Sequence, residues 1–273
     1  MNTQPQKAET FRALHQRDRA FIMPNPWDAG TARMLAHMGF EALATTSAGN
    51  AFAHGQRDGT MGRASILENA VAIVAASDLP VSGDLENGFG DAPEMAAETI
   101  RMAAGDGLVG GSIEDATGNP DAPIYTIEQA IDRIQAAAEA ARRLPFPFTL
   151  TARAENFLCG RPDLKDTIHR LRVYQEAGAD VLYAPGLRTR DEIAAVISSV
   201  DRPVNVLMGT GDLDLNLDQL SAMGVRRVSV GGALCRLALG AFLGGAREMK
   251  ERGTFGFTRR ATKTQKIVDA LGL

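Results

Sequence analysis

"HMGFEALATTSAG", residues 37–49, runs from a glycine through a short apolar stretch into small polar residues. The same pattern returns in "GDGLVGGSIEDATG" (105–118), "EAGADVLYAPG" (176–186) and "AMGVRRVSVGG" (222–232). A glycine there suits a left-handed helix C-cap, and the apolar run suits a strand buried on both faces of a parallel sheet. Four more runs read as strands without the leading glycine: "AFIMPN" (20–25), "LPVSGDLE" (79–86), "PFTLTARAE" (147–155) and "PVNVLMG" (203–209). Between them the apolar residues fall at helical spacing, as in "GTARMLAHM", "ILENAVAIVAAS", "PEMAAETIRMAAG", "DLKDTIHRLRVYQEAG", "RDEIAAVISSV" and "LDLNLDQLSAMG". "YTIEQAIDRIQAAAEAARRL" adds a start signal, because Thr126 and Gln129 stand at capping-box spacing.

Strands alternating with helices predict a parallel sheet with right-handed crossovers, and eight such units in about 250 residues predict an α/β TIM (β/α)8 barrel. The competing doubly wound sheet lacks its mark, since no GxGxxG follows the first strand. No low-complexity linker divides the chain, so residues 1–273 are expected to form one domain. Its extra C-terminal helical segment, 233–273, reads as a long helix, a Gly-rich break and a terminal helix whose apolar face needs covering, which points to an oligomer contact.

Composition narrows the function. Apolar residues make up 45% and charged residues 23%, ordinary values for a globular protein of 273 residues. Net charge is −4, there is no basic block, and aromatics are only 5%, which argues against a nucleic-acid partner. Cys159 and Cys235 lie far apart without CxxC spacing and read as reduced, buried packing residues. The start "MNTQPQKAETFRALH" has neither the basic end nor the apolar core of a secretory signal. No run approaches the 18 or so apolar residues that span a bilayer. The expected location is cytoplasmic, with no membrane partner.

A barrel gathers its chemistry at the C-terminal strand ends. In order these read "PNPWD", "TTSAGN", "GDLENG", "IEDATG", "TARAEN", "YAPG", "VNVLMG" and "VGGA". Acids crowd the ends of strands 3 and 4 (Asp84, Glu86, Glu114, Asp115), and Arg153 follows strand 5. Oxygen donors without His or Cys suit a hard cation, Mg²⁺ with Mn²⁺ as a substitute, held partly through water. Arg153 offers a fork for a substrate carboxylate, and reads equally as an internal counter-ion for the acids. The "TSAG" turn offers backbone N–H groups to an oxyanion. Bland readings stand beside these: Asp84 and Glu86 as a solvated turn, Asp58 as a turn residue in "RDGT", and His15, His37 and His169 as helix residues. Only His54, in "AFAHGQRDG", is placed near the site. Asp91, past the "GFG" turn, reads as a helix cap.

"PNPWDAGTARMLAHMGFEALATTSAG", "GDLENGFG", "SIEDA", "TARAENF" and "PVNVLM" together resemble the isocitrate lyase/phosphoenolpyruvate mutase superfamily, in order from about residue 8 to residue 257. The resemblance implies a TIM barrel, a homo-oligomer (dimer, or tetramer built from helix-exchanging dimers) and Mg²⁺-dependent cleavage or formation of a bond next to a 2-oxo acid, through an enolate. It implies that Asp84, Glu86 and Glu114 hold the metal directly or through water. It places Thr46, Ser47 and Ala48 at the substrate carboxylate or oxo group, Asp58 in support of the metal shell, Arg153 as a catalytic group against the substrate, and Asn205 beside it. Three departures follow. The Lys-[Lys/Arg]-Cys-Gly-His loop of the isocitrate and methylisocitrate lyases is replaced by "DATGNPDAPIYT" (115–126). Ala44 stands where those lyases carry Tyr, and "YAPG" lacks their Glu. The expected activity is therefore a Mg²⁺-dependent C–C lyase, by retro-aldol cleavage or decarboxylation, on a small 2-oxo or 2-hydroxy di- or tricarboxylate. The alternatives are a phosphonopyruvate mutase or hydrolase, with Asn119 as a gating residue, and a metabolite-binding barrel without turnover. Water, Tyr125 and His54 remain open as proton donors.

Overall fold

Eight strands lie parallel in the order β1, β8, β7, β6, β5, β4, β3, β2, so every strand from β2 onward pairs with its sequence successor and β8 pairs with β1. A computed structural model describes residues 2–210 and 213–273 of the chain. The strands are β1 Phe21–Met23, β2 Leu43–Ala44, β3 Val81–Asp84, β4 Gly110–Glu114, β5 Thr149–Arg153, β6 Val181–Tyr183, β7 Val204–Leu207 and β8 Arg227–Ser229. The helices are α1 Gln4–Leu14, α2 Ala29–His37, α3 Ser47–Ala53, α4 Arg63–Ala76, α5 Pro93–Gly105, α6 Ile127–Arg142, α7 Leu164–Glu176, α8 Arg190–Ile197, α9 Leu217–Ala222, α10 Ala233–Arg252 and α11 Thr264–Ala270.

This is the TIM barrel, nearly closed. β1 and β2 share no strand pairing, but the Ala44 N–H donates to the Pro24 carbonyl at 3.1 Å. Asn25 completes the seam: its Nδ2 donates to the Thr45 carbonyl at 2.9 Å, and its Oδ1 accepts from the N–H groups of Val230 and Gly231. One side chain thus fastens β1, β2 and β8 at the C-terminal mouth.

Outward strand residues such as Leu43, Leu150 and Leu182 are buried against the helices, whose own inner stripes are rich in alanine, as in Ala96, Ala103, Ala137 and Ala141. Small residues let helix and strand backbones approach closely, which suits a wall of packed layers. The capping box of α6 forms as its spacing predicts, with the Thr126 side chain accepting from the Gln129 N–H.

Three segments differ from the sequence reading. The strands are shorter than their apolar runs, because the polar ends peel away into the mouth loops. Residues 4–14 form α1, which closes the N-terminal mouth: Phe11, His15 and Phe21 meet edge to face at 4.8–6.3 Å. The "TSAG" turn opens a short helix, α3. Of the two free cysteines, Cys235 is buried as expected, whereas Cys159 is only half-buried. Among the described residues no helix is long and apolar enough to cross a membrane.

Candidate active site

The C-terminal mouth holds a cavity of about 300 Å³ lined by Thr46, Ser47, Ala48, Asp58, Asp84, Arg153 and Asn205, among others. A larger cleft of about 660 Å³ opens around Phe146 and Asp180 at the opposite end, without an acid cluster. Chemistry, not size, singles out the mouth.

α3 and β3 build one wall. Thr46 caps α3, its hydroxyl accepting from the Gly49 N–H at 3.2 Å. Gly49 has to be glycine: a Cβ there would lie 2.6 Å from Thr46 Cγ2 and 2.8 Å from Trp27 Cβ. Ser47 gives both its N–H (3.1 Å) and its hydroxyl (3.0 Å) to Asp84 Oδ2. Of the N–H groups expected to be free in this turn, two are therefore spent within the protein. The Ala48 N–H lies in the helix's first turn, where an N–H has no intrahelical acceptor.

Arg153, at the end of β5, stands among the acids. Its Nη1 lies 2.8 Å from Asp84 Oδ1 and 3.0 Å from Glu114 Oε2, and its Nη2 lies 2.9 Å from Glu155 Oε1. Of the two readings left open for it, internal counter-ion is the arrangement seen, while the residue also borders the cavity. Burial opposes its charge, but Glu114, Glu155 and Asp84 outweigh burial and keep it firmly protonated. Glu155 is a group the sequence reading missed. Its signal was the i, i+2 spacing from Arg153, visible only once strand direction is known.

One guanidinium does not neutralise these carboxylates. Burial raises the pKa of Glu114 well above the usual carboxylate value and raises that of Glu155 as well, with Arg153 opposing and neighbouring acids adding. Glu86 is pushed up to about 7 by burial first, then by Asp84 and Asp58. Asp58 reaches the cavity from an exposed loop, and its pKa is raised by loss of water and by Asp84, against the Ser47 hydroxyl and Arg153. Glu86 Oε1 is buried without any hydrogen-bond partner. An orphaned carboxylate oxygen beside further acids is a cost that a cation would remove. No three Asp, Glu, His or Cys side chains among the described residues converge as a complete ligand set. What speaks for a cation is the orphaned Glu86 Oε1 among oxygen donors, a chemistry that suits a hard ion such as Mg²⁺.

Asn205 is buried, its Nδ2 donating to Ser229 Oγ at 2.9 Å and its Oδ1 accepting from Arg227 Nε at 3.0 Å. Of the acids expected to hold a metal, Asp84 lines the cavity, whereas Glu86 and Glu114 are not among its lining residues. Neither organic proton donor reaches the cavity. The Tyr125 hydroxyl donates to Asp91 Oδ1 at 2.6 Å, and the exposed His54 turns its Nδ1 to the Asn50 carbonyl. Asp91 is thus a partner of Tyr125 and not the helix cap expected of it; the residue in that place is Ala92.

Residues 11–250 match the family described as phosphoenolpyruvate phosphomutase. A solved structure from Burkholderia cenocepacia J2315, described only as a candidate lyase/mutase, is 61% identical over 99% of this chain and 97% of its own, with a TM-score of 0.96. Oxaloacetate decarboxylase of Pseudomonas paraeruginosa is 28% identical over 94% of this chain and 89% of its own. Oxaloacetate acetylhydrolase, solved with its product oxalate, is 25% identical over 100% of this chain and 96% of its own, with a TM-score of 0.87.

Proposed function

The chain belongs to the phosphoenolpyruvate phosphomutase family, and from that premise we propose that it is a Mg²⁺-dependent C–C lyase acting on a small 2-oxo or 2-hydroxy di- or tricarboxylate of the oxaloacetate type. Two of its relatives are named for cleaving oxaloacetate, one as a decarboxylase and one as an acetylhydrolase. The observation that supports the metal is the partnerless Glu86 Oε1 in a cluster of carboxylates served by a single guanidinium.

In this reading Asp84, Glu86 and Glu114 hold the ion, in part through water, with Asp58 beside them. When bound, Mg²⁺ supplies positive charge to the substrate's 2-oxo group, where negative charge develops as the bond breaks. The chain's own groups do the rest. The Ala48 N–H and the α3 N-terminus hold the substrate carboxylate. Ser47 fixes the Asp84 carboxylate by two hydrogen bonds, so the acid does not have to reorganise as charge shifts. Arg153 balances the acids and borders the cavity in which the enolate forms. Neither Tyr125 nor His54 borders the cavity, which leaves water as the proton donor among the three considered. A cytoplasmic location and a homo-oligomer contact on α10 belong to the same proposal.

The test follows product formation. Purified protein with Mg²⁺ is expected to release pyruvate or glyoxylate from 2-oxo and 2-hydroxy dicarboxylates and to be silent on phosphonopyruvate. Faster turnover of phosphonopyruvate would shift the reading to C–P chemistry. Tight oxalate binding without turnover of any substrate would reduce the protein to a metabolite-binding barrel.

A further inference from the structure

Arg227 is a full charge in the middle of the barrel without an acid beside it. It is 2% exposed, on β8, and borders the cavity from below together with Ser82 and Ser112. TIM-barrel interiors are ordinarily filled by branched aliphatic side chains; here small polar residues leave room at that level. Arg227 Nε donates to Asn205 Oδ1 at 3.0 Å, Nη2 donates to Thr151 Oγ1 at 3.0 Å, and Nη1 lies 3.3 Å from His15 Nε2.

None of these partners is charged. His15 Nδ1 lies 2.8 Å from the Phe11 carbonyl, which accepts a hydrogen bond and cannot give one. The ring proton therefore sits on Nδ1, and Nε2 is the acceptor for Arg227. Burial and the neighbouring guanidinium keep that ring neutral. A guanidinium carries five N–H groups, so about two remain without a protein partner. Among the described residues no carboxylate lies within ion-pair distance of Arg227, whereas Arg153, bordering the same cavity, meets three. Burial lowers the Arg227 pKa to about 9, with Tyr183 opposing, which leaves the guanidinium charged at neutral pH; the Tyr183 ring also packs under Arg153, with that guanidinium carbon 5.2 Å from its centre.

The cavity is therefore electrically lopsided. One end presents acids that call for a cation, and the floor presents a cation that calls for an anion. We propose that Arg227 is a specificity-determining residue that receives the second carboxylate of a dicarboxylate, whose 2-oxo or 2-hydroxy acid end lies against the Ser47–Ala48 turn. The inference rests on the active-site reading above and deepens it. Asn205 and Thr151 orient the guanidinium fork, and the His15 acceptor fixes its lower edge.

The test compares two ligands that differ only at the far end, malate and 2-hydroxybutyrate, by calorimetric titration of the full chain with Mg²⁺. The wild type is expected to bind malate at least about 10-fold more tightly, as a charge-assisted pair of hydrogen bonds warrants. Arg227→Gln should reduce that preference to roughly 2-fold or less while 2-hydroxybutyrate affinity stays unchanged. Should that variant fail to fold, Arg227→Lys carries the test, since it keeps the charge but loses the fork: the preference should shrink severalfold and not vanish. Equal weakening of both ligands would assign Arg227 a purely structural role and overturn the proposal, as would a preference that is undiminished in either variant or absent from the wild type. Oxalate, too short to span the cavity, separates the two levels of inference. Oxalate binding with an unaltered malate preference defeats only the role of Arg227; no oxalate binding defeats the site reading and this proposal with it.

Discussion

Glu86 has φ +49° and Phe89 φ +61°, in the left-handed region that non-glycine residues seldom enter. Such conformations cost about 1–3 kcal/mol each and persist where surrounding contacts impose them. Here the Glu86 carbonyl accepts the Glu114 N–H at 3.0 Å, tying the turn after β3 to the end of β4 and holding the Glu86 carboxyl inside the acid cluster. His15 shows a different kind of cost. Its pKa is lowered to about 3, by burial first and by Arg227 second. In the unfolded chain it titrates near 6.5, so below that pH the unfolded state binds a proton that the folded state refuses. Its contribution to stability is intact above about pH 6.5 and declines as pH falls toward 3. His15→Gln keeps an acceptor for Arg227 but removes this titration. In urea unfolding across that window, the wild type should lose stability relative to the variant as pH falls; parallel curves would contradict the assignment. Asp84, Glu86, Glu114 and Arg153 could be singled out in the sequence because each stands where an apolar run ends. Glu155 and Arg227 could not, because whether a strand residue faces the barrel interior depends on register, and "VRRVSV" shows two arginines of which one is half-buried and one fully buried.

At the scale of elements, the acid turn is held from behind. Arg133 on α6 donates to the carbonyls of Asn87, Gly90 and Asp91, and its guanidinium stacks over the Tyr125 ring at 4.4 Å. α6 thereby positions a loop that it does not adjoin in sequence. The helices with strong periodicity were legible to within a turn. α1 was not, because only Ala8, Phe11 and Leu14 of its eleven residues are buried. α3 was not, because a glycine and small residues mask a helix whose start is set by the Thr46 cap. α10 was legible as a long helix with an apolar face, and that face is exposed in the single chain: Leu237 is 73% exposed and Phe242 69%. Contiguous exposed apolar side chains mark contact surfaces. If the α10 face makes the homo-oligomer contact, Phe242→Glu should sediment as a smaller species than the wild type. An unchanged sedimentation coefficient would place the contact elsewhere or remove it.

For the molecule as a whole, eight repeats of one strand–helix pattern fixed the ring order before any distance was known, and the ring then brought α3, β3, β4 and β5 to one mouth. What the pattern could not convey is how the charges there settle: which acids the single arginine serves, and which oxygen is left over. The central claim is that the leftover charge holds a divalent cation needed for turnover. The most direct measurement is pyruvate release from oxaloacetate by protein stripped with EDTA, then titrated with Mg²⁺, for the wild type beside Glu86→Ala. The expected result is loss of enzymatic release over the spontaneous background on stripping, full recovery with Mg²⁺ for the wild type, and at least about 10-fold weaker recovery for Glu86→Ala. Release that persists in EDTA, or that is the same in both proteins at every Mg²⁺ concentration, would contradict it.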